Sequence, residues 1–71
     1  MAIAQIKNLQ RRLGNLEQEA AVALNRVCGH ELWNHLGFDA LDSLEDPDRR
    51  ARAHFYYGQW QTARELRETL A

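Results

Sequence analysis

Between Ile3 and Val27 the apolar residues Ile6, Leu9, Leu13, Leu16, Ala20, Ala23 and Val27 recur in alternating steps of three and four. That spacing places them on one stripe of a helix, in the manner of a heptad seam. It predicts one helix from Ile3 to Cys28. Gly14 alone interrupts the helical composition, at about 1 kcal/mol relative to alanine, and Gly29 stands where a left-handed glycine closes a helix. The seam narrows along the chain, from Ile and Leu to Ala20 and Ala23, while Ala21, Val22 and Leu24 add apolar surface beside it. One intramolecular neighbour does not cover so wide a face. Leu13, Leu16, Ala20, Val22, Ala23, Leu24 and Val27 are therefore the expected interface with a second copy of the chain.

Past Gly29, the stretch from His30 to Leu36 carries Leu32, Trp33 and Leu36 at helical spacing, and Gly37 follows where a short helix would stop. Phe38, Leu41 and Leu44 then repeat every third residue among acids, which predicts one or two helical turns. Asp46-Pro47-Asp48 is a helix start: Asp caps free amides, Pro tolerates the first helical position, and acids suit the positive end of the helix dipole. The last helix is expected from Pro47 to Leu70, with Ala53, Tyr56, Trp60, Ala63, Leu66 and Leu70 as its apolar stripe. Phe55 and Tyr57 cannot both share that face, because successive residues are about 100° apart, so aromatic surface points two ways. Two long helices joined by a compact elbow from Gly29 to Asp46 make an all-α antiparallel hairpin, a single domain over residues 1–71. In that hairpin Gly14 and Gly58 reach similar heights, where they are expected to make room for Tyr56 or a buried Trp60.

A chain of 71 residues supports one core, and a marginal one unless a disulfide, a metal or a partner subunit adds to it. Cys28 is the only cysteine, which excludes an intramolecular disulfide, suits a reducing cytosol and makes a homodimer the expected state. Nine Lys+Arg against ten Asp+Glu give a formal charge of −1, with no global attraction to nucleic acid or anionic membrane. No apolar run approaches the roughly 18 residues that span a bilayer, and the start lacks a signal peptide's basic and apolar regions. A cytoplasmic location is expected.

Cys28, His30 and His35 are zinc-ligand types, yet a closed structural site takes four ligands and no fourth stands nearby. No metal and no cofactor are expected. The same set lacks an orienting third group and a glycine-rich oxyanion loop, so the chain is not expected to be an enzyme. Arg49, Arg50, Arg52 and His54 form one basic patch, and Lys7, Arg11 and Arg12 another. No helix-turn-helix of ordinary length accompanies them, which leaves a small dimeric nucleic-acid-binding regulator as the alternative, beside a structural assembly subunit. The sharpest local feature is the run from Phe38 to Asp48, with five acids and no base. It reads either as a solvated linker with a helix cap or as an acidic, apolar-anchored surface for a basic partner. Phe38, Asp39, Leu41, Asp42 and Glu45, with Phe55 and Tyr57 from the aromatic surplus, are the candidate partner-binding residues.

The layout as a whole is a long N-terminal helix, the Cys28-Gly29-His30 turn, the acidic elbow and the helix bearing Phe55-Tyr56-Tyr57-Gly58-Gln59-Trp60. In outline it is similar to phage quorum-sensing anti-activators. The resemblance transfers no binding residue. It implies a dimer in the host cytoplasm that binds a LuxR-type transcriptional activator and keeps it from DNA, with a pilus-assembly protein as a second target.

Overall fold

A computed structural model describes residues 3–29 and 33–70. The chain forms α1 (Ile3–Cys28), α2 (Trp33–Leu36), α3 (Phe38–Asp42) and α4 (Pro47–Leu70), with no strand among the described residues. The long helices end where the sequence pattern places them. The expected start of the short helix at His30 lies outside the described residues.

Helices α1 and α4 lie side by side and antiparallel, tied at three heights. Near the elbow the Arg49 guanidinium donates to the Val27 carbonyl. Midway, Arg67 donates to both Glu17 carboxylate oxygens, at 2.7 and 3.3 Å. At the far end the Gln10 amide donates to the Leu70 carbonyl at 2.9 Å. The result is a rod of 47 × 16 × 16 Å.

The turns follow from their residues. The Gly29 N–H closes α1 on the Asn25 carbonyl at 2.8 Å, with a φ of 78°. Gly37 takes φ 59° and ψ −133°, a region essentially reserved for glycine, and so turns the chain directly from α2 into α3. Ahead of α4, an Asp46 carboxylate oxygen accepts the Asp48 N–H at 2.9 Å, while its carbonyl accepts the first helical bond, from Arg50, at 2.9 Å.

The core sits at the elbow end. Leu24 and Cys28 of α1, Trp33 of α2, Ala40 and Leu41 of α3 and Ala53 of α4 form one buried cluster, onto which Val27, Leu44, Tyr56, Tyr57 and Trp60 pack. Leu24 and Leu41 are completely buried, and each contributes roughly 1.5–3 kcal/mol. This cluster decides how α1 is rotated. The elbow docks against the Leu24 and Cys28 flank and draws it inward, so the buried stripe runs through Leu13, Ala20, Leu24 and Cys28. Leu9 and Leu16, expected on the seam, stay exposed.

Two further expectations change. The deeply buried aromatic is Trp33, 3% exposed, whereas Trp60 is half-buried and meets the Trp33 ring edge-on at 5.0 Å. Nor do the glycines make room for aromatics: among the described residues a Cβ on Gly14 would meet the Arg67 side chain at 3.8 Å, and one on Gly58 would meet nothing within 4 Å.

Candidate functional site

The structure divides the candidate residues between core and surface. At the elbow, Leu41 is 0% exposed: it anchors α3 to the hairpin and cannot contact a partner. Tyr57 is half-buried, its ring 5.3 Å from Phe38 and 5.6 Å from Trp60. Phe38 is 57% exposed and Leu36 is exposed beside it. The Phe38 ring also stacks on His54, at 5.5 Å and 21° between planes. Asp39, Asp42 and Glu45 are all exposed, and an Asp42 oxygen stands 2.8 Å from His54 Nε2. Buried Leu41 thus fixes a short helix whose outer side presents a phenyl ring among carboxylates.

Below the elbow, the remaining apolar residues gather along one side of the hairpin. Leu16 (53% exposed), Phe55 (61%) and Leu66 (50%) border an open groove of about 600 Å³, floored by Leu13, Ala20 and Ala63. Of the expected dimer contacts, Leu13, Ala20 and Leu24 are buried within the chain, because α4 and the elbow already cover them. Val22 is exposed, on the opposite side of α1 from the core, and Ala23 and Val27 are half-buried. Sequence reasoning paired Leu66 with the core and missed that it faces this groove. The signal was there in the spacing: Phe55, Gln59, Thr62 and Leu66 recur at steps of four, three and four, a second stripe beside the buried one.

The opposite side of the hairpin is polar. The Glu17–Arg67 pair holds it closed, and the hydrogen bond and charge of Glu17 raise the Arg67 pKa further above its ordinary value. Arg64 lies over the Trp60 ring at 5.2 Å and pairs with Glu68 one turn on. The Trp33 indole N–H donates to the Asn25 side-chain oxygen at 2.6 Å, so the one buried indole is satisfied.

The basic patch of α4 is partly committed to the fold, since Arg49 holds the Val27 carbonyl and Arg50 is half-buried. Cys28 is buried, and burial pushes its thiol above the ordinary range against the opposing pull of Arg49. His35 is exposed and His30 lies outside the described residues. Among the described residues no three His, Cys, Asp or Glu side chains gather as a metal would need, and no helix is long and apolar enough to cross a membrane.

Set beside known proteins, the sequence matches a family of unknown function (DUF8669) over residues 10–70. No curated protein and no solved structure matches it.

Proposed function

The chain belongs to the DUF8669 family, and from its surfaces we propose that it is a non-catalytic protein-binding hairpin that presents its acidic elbow to a basic partner. One observation carries this reading: Phe38 is 57% exposed on a helix whose neighbours Asp39, Asp42 and Glu45 are exposed as well. An aromatic ring packed against both His54 and Tyr57 loses little freedom on binding, which is the property of a hot-spot residue. The surrounding carboxylates steer a positively charged surface toward it. DNA-binding domains carry such surfaces, and blocking one would inhibit a transcriptional regulator. The resemblance to quorum-sensing anti-activators narrows that proposal to a LuxR-type activator, with a pilus-assembly protein as the second candidate.

The test is affinity capture from a host lysate with the parent chain, with Phe38→Ala, and with Asp39→Asn, Asp42→Asn and Glu45→Gln combined. Quantitative mass spectrometry should show one basic DNA-binding protein enriched by the parent and depleted by both variants. A partner retained equally by all three chains would place the binding surface elsewhere.

A further inference from the structure

We propose that His54 is a proton-operated clamp on the acidic elbow, setting how much negative charge that surface shows to a basic partner. The proposal rests on the reading of the elbow as the binding surface and adds its regulation by pH.

Phe38 and Asp42 stand four residues apart on α3, so they share one face of it. His54 of α4 meets both. Its Nε2 lies 2.8 Å from an Asp42 carboxylate oxygen, and its ring stacks on Phe38 at 5.5 Å. Helix α3 has five residues and no side-chain cap at its N-terminus. A helix that short does not hold its own shape in water, so its place on α4 depends on tertiary contacts. Buried Leu41 anchors the inner side, and His54 grips the outer edge.

An ionised carboxylate only accepts hydrogen bonds. The His54 Nε2 therefore carries the hydrogen and donates it to Asp42, and Nδ1 is the nitrogen that gains or loses the second proton. The contact is the same in both states; only its charge changes. With Nδ1 bare, the pair is negative, and exposed Asp39, Asp42 and Glu45 all count toward the field of the elbow. With Nδ1 protonated, the pair is neutral and the Phe38 ring rests on a cation. Histidine is the side chain that ordinarily changes charge between about pH 5 and 8. Among the described residues, α3 brings Asp42 to this ring, with Asp39 and Glu45 beside it. On α4 itself the Arg50 guanidinium stands one turn before His54 and the Tyr57 phenol one turn after. Lowering the pH thus cancels the charge of Asp42 while the geometry of the clamp is kept, and a basic partner is steered to the elbow less strongly.

Octa-arginine bearing a rhodamine label is the probe, because guanidinium groups stay charged throughout this range. Fluorescence anisotropy with the full chain at low salt, at about pH 7.5 and 5.5, reads its binding, and circular dichroism verifies helicity. The parent should bind about two- to fivefold more weakly at the lower pH, the worth of one exposed charge pair. His54→Gln keeps an N–H donor but cannot titrate; it should bind at both pH values as the parent does at the higher one. His54→Arg carries a fixed charge and should bind at both as the parent does at the lower. His30 and His35 are present in all these chains and cannot account for a difference between them. A Gln variant with the parental pH dependence, or an Arg variant that binds as the parent does at the higher pH, would overturn the clamp and leave the elbow standing as the binding surface. The Asp39→Asn, Asp42→Asn, Glu45→Gln chain tells that failure from the other: if it binds octa-arginine like the parent, the acidic-elbow reading falls and the clamp falls with it.

Discussion

Trp33 and Cys28 show how much a single position carries in so small a core. Trp33 fills the space between the helices at the elbow, with its edge-on contact to Trp60 and its indole bond to Asn25. Trp33→Ala should lower the unfolding free energy by roughly 3–5 kcal/mol, and Trp60→Ala by less, because emptying a buried aromatic site forfeits both transfer and packing energy; denaturant titration of the two variants checks the order. Cys28 has its thiol pKa raised by burial, so the folded state holds the proton more tightly than the unfolded chain. Its contribution to stability is therefore complete below the ordinary thiol range and is lost as pH rises through the folded pKa. Two outcomes are expected. A thiol reagent should modify native Cys28 far more slowly than denatured Cys28, and the alkaline loss of stability should be smaller in Cys28→Ala than in the parent.

At the scale of elements, α1 and α4 were legible from the sequence because long periodic stripes and end signals are local: Gly29 closes one helix and Asp46-Pro47-Asp48 opens the other. Rotation about the helix axis was not. The heptad stripe centred on Leu13, Leu16 and Ala20 is wider than one neighbour can cover, and which half it covers depends on the elbow, whose docking against Leu24 is a tertiary event. Hence Leu24 moved to the core and Leu16 to the groove. The elbow itself was half legible. The three-residue spacing of Phe38, Leu41 and Leu44 marked a helical segment, but only the packing shows that Leu41 anchors it and Phe38 does not. Gly37 is the hinge of that arrangement. Gly37→Ala should destabilise the hairpin by about 1–2 kcal/mol, since its φ of 59° suits only a residue without a side chain, and a melt read by circular dichroism measures the loss.

The whole molecule is an open rod, with a radius of gyration of 13.8 Å against about 11 Å for a compact chain of this length. Its core lies at one end and its groove along one side. If the groove closes on another copy, the melting temperature should climb with protein concentration by mass action, and a midpoint unchanged across a hundredfold dilution would argue for a lone hairpin. The central claim, however, concerns the acidic elbow, and it is tested most directly by the association rate of the captured partner with the parent and with the Asp39→Asn, Asp42→Asn, Glu45→Gln chain across a salt series. At low salt the variant should associate more slowly, and the two rates should converge as the Debye length falls below about 10 Å. Parental kinetics for the variant at low salt would contradict the account and leave the elbow as a linker between two helices.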